Sequence, residues 1–378
     1  MGIKTPLYQS TIQLRFIFIL HVFISESAKK QLHFLSCLTY CPIDYHFTMS
    51  NFLSMMRVTL FGARNKSEFN PARDIPSLKD KVIVVTGGAS GLGEATVAEL
   101  LRHDPARIYI ADLPRPAEDV AALIASHATP ADADADADAD TDETATEIKF
   151  LDLDLGSFES VQRAAATLAG ERIDILVLNA GIMPVKPRMT AEGYEAAFGV
   201  NYLGHALLAR LLVPVLLKTV EIQPDVRIVI VSSEGHAMAP KGGIDFDQIK
   251  TACEGMSFTK RYGQSKVASI GLAKELGERY PSLKVAAVHP GRISTNMGKA
   301  LQEESYLIRL LKPLESLICV TPEVGVENHL WAATSPDVVS GKYYLPVGIV
   351  DDATIMNKDV GLSKKLWDWT ETELKDRL

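Results

Sequence analysis

Residues 81–94 read KVIVVTGGASGLGE, and the rest of the chain is organised around them. Lys81 to Val85 predict a buried strand: the run is rich in β-branched residues, uninterrupted, and without helical spacing. Thr86 and Gly87 turn the chain, and Gly91 and Gly93 open a helix that continues through ATVAELLRH. Glycine there lets the backbone of Ser90, Gly91, Leu92 and Gly93 approach a pyrophosphate. The free amides and dipole of the first helical turn favour its charge. The spacing is GxxxGxG, and a glycine-rich loop alone is a weak signal. Context strengthens it: a strand before, a helix after, and Asp112 closing the apolar run RIYIAD. Asp112 lies 19 residues beyond Gly93, where a ribose-binding carboxylate is expected at about 20. Together these features point to a dinucleotide site.

Composition sets the bounds. With 378 residues and 47% apolar content the chain can bury a large core. Its net charge of −8 is local: residues 131–147, ADADADADADTDETATE, hold eight acidic residues and no Lys or Arg. The other 39 acidic residues balance 39 Lys and Arg, so the charge gives no sign of a nucleic-acid partner. The run is expected to be a solvated, disordered loop between a helix and a strand. Cys37, Cys41, Cys253 and Cys319 are too few and too scattered for a disulfide framework. Cys37 and Cys41 have no matching His/Cys pair, so free thiols in a reducing compartment are expected and no metal site.

Residues 1–68 form an extension. Its dominantly apolar run Phe16 to Ile24 is too short to span a bilayer at the usual ~20 residues. Three readings stand: a membrane-attaching anchor, a cleaved signal-peptide core, or residues upstream of a working start at Met49, Met55 or Met56. From Phe69 onward strand and helix patterns alternate. Strands are expected at 82–85, 107–111, 148–151, 174–178, 227–231, 284–288 and 343–347. Helices are expected at 91–103, 116–127, 157–169, 190–219 and 261–279. This is an α/β pattern, a Rossmann doubly wound parallel sheet of about seven strands with helices on both faces, in one domain over 69–378.

In such a sheet the ligand lies across the carboxyl ends of the strands. Those ends carry Asp154-Leu155, Asn179-Ala180-Gly181, Ser232-Ser233 and Pro290-Gly291, the last followed by Thr295. Each alone is an ordinary capping or turn sequence; four in succession are less easily dismissed. Tyr262 and Lys266, in RYGQSKVAS, stand at i and i+4 and share a helix face. A phenol of pKa about 10 is a poor base at neutral pH, and a neighbouring ammonium draws it toward working range.

With these motifs in place the chain resembles the short-chain dehydrogenase/reductase family over about Asp74 to Val350. The resemblance rests on TGGASGLG at 86–93, LNAG at 178–181, Asn201 in GVNYLGH, VSSEGH at 231–236, YGQSK at 262–266 and HPGRIST at 289–295. It implies a catalytic set of Ser233, Tyr262, Lys266 and Asn201, with Ser233 bonding the substrate oxygen and Tyr262 exchanging the proton. Lys266 would hold the nicotinamide ribose, Asn201 would position a water beside Lys266, and Thr295 would reach the carboxamide. The gap of 29 residues from Ser233 to Tyr262 looks like the retinol-dehydrogenase-like branch and its fungal relatives. Leu178 departs from the more usual NNAG.

NAD(H) is the expected cofactor, because Asp112 would oppose the 2′-phosphate of NADP(H). Arg115, between Pro114 and Pro116, is expected to be a solvated loop arginine, its alternative being to soften that preference. The segment 298–320 has a broad apolar face, as a lid or a packing helix, and suggests a lipophilic alcohol or carbonyl substrate. A cytoplasmic protein is expected, with attachment to the endoplasmic reticulum membrane through residues 16–24, and a homodimer, as further readings. A catalytically silent nucleotide-binding scaffold is the competing function.

Overall fold

Val82 to Thr86, buried at all five positions, form the central strand of the fold. In this computed structural model, which describes residues 69–128, 145–291 and 322–378, the strands are β1 (Val82–Thr86), β2 (Arg107–Asp112), β3 (Glu147–Asp152) and β4 (Ile175–Leu178). They continue as β5 (Arg227–Val231), β6 (Lys284–Val288), β7 (Lys342–Leu345) and β8 (Ile349–Val350). The helices of eight or more residues are α1 (Gly91–Leu101), α2 (Ala117–Ala128), α3 (Phe158–Leu168), α4 (His205–Ile222), α5 (Phe258–Arg279), α6 (Glu327–Thr334) and α7 (Val360–Leu374). The N-terminal extension up to residue 68, nearly all of the Ala/Asp insert, Thr295 and the segment 298–320 lie outside the described residues.

The sheet runs β3-β2-β1-β4-β5-β6-β7-β8, parallel except for its last pair. β1 pairs with β2 on one side, Val85 opposite Ile110, and with β4 on the other, Val85 opposite Val177. The chain therefore leaves in opposite directions from β1, and the crevice at this reversal is where such sheets bind ligands. Helices cover both faces. α3, α4, α5 and α7 pack on Val84, Leu176, Ile228 and Val285, while α1 and α6 pack on Ile83, Val85, Val177 and Val229. Burial on both faces is why these strands read as unbroken apolar runs.

Three expectations need correcting. The sheet has an eighth strand: β8 turns back antiparallel to β7, Tyr344 opposite Val350, and β7 ends at Leu345 before Pro346, which has no N–H for the ladder. The helix expected from residue 190 starts at Ala196. Gly193 adopts φ +83°, the Thr190 amide donates to Tyr194 O at 2.8 Å, and Glu195 caps the amides of Ala197 and Phe198. A π-helical stretch, Gly199–Gly204, then leads into α4. Third, α6 and α7 extend the fold beyond the pattern read from alternation. Ala196–Ile222 is apolar and long enough to cross a membrane, yet it is a core helix here, with Leu207, Leu208, Leu212 and Leu216 buried.

Candidate active site

The glycine loop is shaped for close approach. At Gly91, φ is +58° and a Cβ would meet nothing within 4 Å, so the space in front of the loop is open. At Gly93 a Cβ would lie 2.0 Å from the Gly87 carbonyl oxygen, and only glycine fits. Ser90, extended at the N-cap of α1, makes no side-chain bond to the amides of the first turn, whereas Leu92 packs inward. The loop thus fits a pyrophosphate. Asp112, at the end of β2, accepts from the Ala89 amide at 3.0 Å and the Leu113 amide at 2.8 Å. Arg115 is not a solvated loop residue. The turn bounded by Pro114 and Pro116 brings Nη2 to 3.5 Å from Asp112 Oδ1, and the guanidinium lies 5.3 Å over Phe150. Asp154 accepts the Gly156 amide at 2.8 Å, and the side chain of Leu155 is buried in the core.

Thr86 joins the ends of β1 and β4. Its Oγ1 accepts the amides of Asn179 at 2.9 Å and Ala180 at 3.0 Å, and lies 2.9 Å from His205 Nε2. With both lone pairs of Oγ1 taken, its single proton goes to Nε2. That fixes the neutral ring with Nδ1–H donating to the Asn201 carbonyl at 3.0 Å. Burial depresses His205 to about 4, in keeping with this form. Sequence reading gave His205 no role, because one histidine on an apolar helix carries no signal until its partners are seen. The Asn179 side chain donates through Nδ2 to Thr86 O at 2.9 Å, and Gly181 brings the turn toward Asn201 and Lys266.

Asn201, in the π-helical stretch, uses its side chain as a clamp. Oδ1 accepts the Ile182 amide at 2.7 Å, and Nδ2 donates to Ile182 O at 2.9 Å and to Ser265 Oγ at 3.0 Å. Ser232 donates to the Lys266 carbonyl at 2.9 Å, which ties β5 to α5. Ser233 accepts the Gly235 amide at 3.0 Å, and its hydroxyl and the Tyr262 ring both crowd Gly235. Lys266 lies with Nζ 5.6 Å from the Tyr262 ring centre and donates to Val231 O at 2.9 Å.

Burial pushes the Tyr262 phenol up to about 12 against the opposing influence of Ser233, and lowers Lys266 to about 8. Desolvation is thus the largest influence on Tyr262 in the protein's own environment, and Lys266 is not among those that lower it. Pro290 and Gly291 follow β6. Asn328 of α6, also unforeseen, donates to His289 O at 2.8 Å and Tyr344 O at 3.1 Å, fixing this strand end. Ser233, Tyr262, Lys266, Asn201 and the Asn179–Gly181 turn are thus brought together at the carboxyl ends of β4 and β5.

The family model for short chain dehydrogenases matches residues 131–305. A short-chain dehydrogenase/reductase of Aspergillus calidoustus, drtF, is 35% identical, covering 80% of this chain and 96% of that protein. Human retinol dehydrogenase 14 is 34% identical over 77% of this chain and 85% of its own length. Among solved structures, a Mycobacterium Paratuberculosis protein of 25% identity superposes with a TM-score of 0.59, covering 82% of this chain and 98% of that one.

Proposed function

The chain belongs to the short-chain dehydrogenase/reductase family, oxidoreductases acting on CH–OH groups, and from that premise we propose that it moves a hydride between NAD(H) and a lipophilic alcohol or carbonyl compound, with Tyr262 as acid/base. The observation that carries this reading is the buried Tyr262 beside Ser233 at the end of β5, with Lys266 one helical turn along and its Nζ 5.6 Å from the Tyr262 ring centre. Ser233 donates to the substrate oxygen and orients it. Tyr262, held protonated by burial, gives its proton to a carbonyl oxygen as reduction proceeds, or takes one back from an alcohol. The buried Lys266 ammonium stabilises the phenolate left behind. Asn201 keeps Ile182 and α5 in register around these groups. The nicotinamide, when bound, supplies or accepts the hydride at the carbinol carbon.

Asp112 supports a preference for NAD(H), since its carboxylate suits ribose hydroxyls and opposes a 2′-phosphate. The Arg115 ion pair softens that opposition, so NADP(H) is expected as the weaker cofactor. The lipophilic class draws support from the human relative called a retinol dehydrogenase, and from Ile182, Met183, Pro184 and Val185, which follow the Asn179–Gly181 turn.

The test is a panel of long- and short-chain alcohols, aldehydes and ketones with both cofactors, followed at the NADH absorbance band. Turnover favouring long apolar substrates with NAD(H) is expected. Retained NADH binding with no turnover anywhere would replace this reading by a silent nucleotide-binding protein. The domain is expected in the cytoplasm, and fractionating the full chain beside a form starting at Met49 tests membrane attachment through residues 16–24.

A further inference from the structure

Arg261 immediately precedes Tyr262 on α5, is 2% exposed, and takes no part in the chemistry above. A guanidinium so deeply buried is tolerated only if its donors and its charge are matched. Nη1 donates to Met256 O at 2.5 Å, and Nη2 donates to Pro184 O at 3.0 Å and Val185 O at 2.7 Å. Nε, without a hydrogen-bond partner among the described residues, lies 3.5 Å from Oε1 of Glu195, whose side chain is also fully buried and matches the charge. Glu195 in turn caps the turn that leads into the π-helical stretch carrying Asn201. One side chain thus joins the start of the Tyr262 helix, the loop before it, the base of the Asn201 helix, and the segment after Gly181.

That last segment gives the arrangement its consequence. Its first residue, Ile182, is clamped by Asn201 through both amide and carbonyl. Two residues later the carbonyls of Pro184 and Val185 both point to Arg261, and from Lys186 to Met189 the chain is exposed. Arg261 is therefore where the segment is tied before it runs out to solvent.

We propose that Arg261 is a positioning residue that sets the Ile182–Val185 wall against Tyr262 and so decides which substrates the site admits. The role rests on the reading of Tyr262 as the acid/base. It requires an arginine: the planar fork reaches two successive carbonyls and a third on the far side, whereas a lysine ammonium offers one point charge.

Arg261→Ala is a poor probe, because it strands Glu195 without its counter-charge and endangers folding. Arg261→Lys keeps a cation near Glu195, and the double variant Arg261→Met/Glu195→Gln removes both charges. The first readout needs no substrate. Trypsin can cut this segment after Arg188, since Lys186 is followed by Pro187, and cleavage there is expected to be roughly 10-fold faster in both variants. NADH affinity should stay within about twofold, because no cofactor-facing group is touched. On a substrate from the panel, KM is expected to rise roughly 10-fold and discrimination between chain lengths to flatten, with kcat and its pH profile held within about threefold.

Unchanged cleavage in both variants would overturn the proposal, as would a fall in kcat at constant KM. Tyr262→Phe separates the two readings. If that variant stays active, the acid/base assignment fails while the cleavage rates still decide whether Arg261 holds the wall. If the wild type turns over nothing, cleavage alone decides.

Discussion

Tyr262 is the residue on which the proposed reaction turns. Tyr262→Phe keeps the ring against Gly235 and removes only the hydroxyl, so kcat should fall by roughly 10²–10⁴ while NADH binding is retained. Turnover near the wild-type rate would refute the assignment. Asp112→Ala should shift the kcat/KM ratio toward NADPH by about tenfold or more, as expected for removing a charge opposed to a phosphate; an unchanged ratio would clear Asp112 of that role. Two buried histidines add a pH dependence. Burial lowers His205 from 6.5 to about 4 and His329 from 6.5 to about 3, so both bind fewer protons folded than unfolded. Their contribution is complete above pH 6.5 and is lost as pH falls, toward 4 for His205 and toward 3 for His329, each group changing stability by about 1.4 kcal/mol per pH unit within its window. Urea midpoints at pH 7, 6 and 5 should decline, and His205→Gln should flatten the decline; an equal slope in the variant would count against it. Ser233, Tyr262 and Lys266 were legible in the sequence because helical spacing and strand ends announce them. His205 and Arg261 were not, because their meaning lies in partners such as Thr86 and Pro184, far along the chain.

At the scale of elements, the alternation of unbroken apolar runs with period-3.6 patterns was enough to find β1 through β7 and the helices between them as far as α5. It failed where local backbone chemistry overrides composition. Residues 190–195 suit a helix by content, yet Gly193 in the left-handed region and the Glu195 cap postpone it to Ala196. α7 was missed for another reason: no strand follows it, so strand–helix alternation does not demand it. Its spacing was present all the same, Leu362, Leu366, Thr370 and Leu374 recurring every fourth residue, and all four are buried. Trp367 anchors this helix, with Arg279 at 4.5 Å and Arg210 at 5.3 Å from its ring centre. Trp367→Ala should cost about 3–5 kcal/mol, through a cavity and the loss of two cation–π contacts. Urea unfolding monitored by far-UV circular dichroism checks this, and a loss below ~1 kcal/mol would mean that α7 is not an integral part of the fold.

For the molecule as a whole, the sheet order follows from the succession of βαβ units. The acidic insert stands apart from that logic, and its place in the fold allows a test. It joins α2, which has no buried residue, to β3, the outermost strand of the sheet. Both attachment points are therefore at the margin, away from the Ser233–Tyr262 centre. An Ala/Asp alternation has little apolar surface with which to offset the entropy of ordering it, and its like charges repel. Shortening it relieves loop-closure entropy only slightly, since each doubling of length is worth about 0.6 kcal/mol. Replacing Ala131–Thr146 with a short Gly/Ser link is therefore expected to leave Tm within ~2 °C and kcat/KM within about twofold. The replacement removes seven of the eight acidic residues in the run and brings the net charge from −8 to −1, so an effect of charge on solubility would appear without a change in stability. A fall in Tm beyond ~5 °C would show instead that the run packs on the edge formed by α2 and β3.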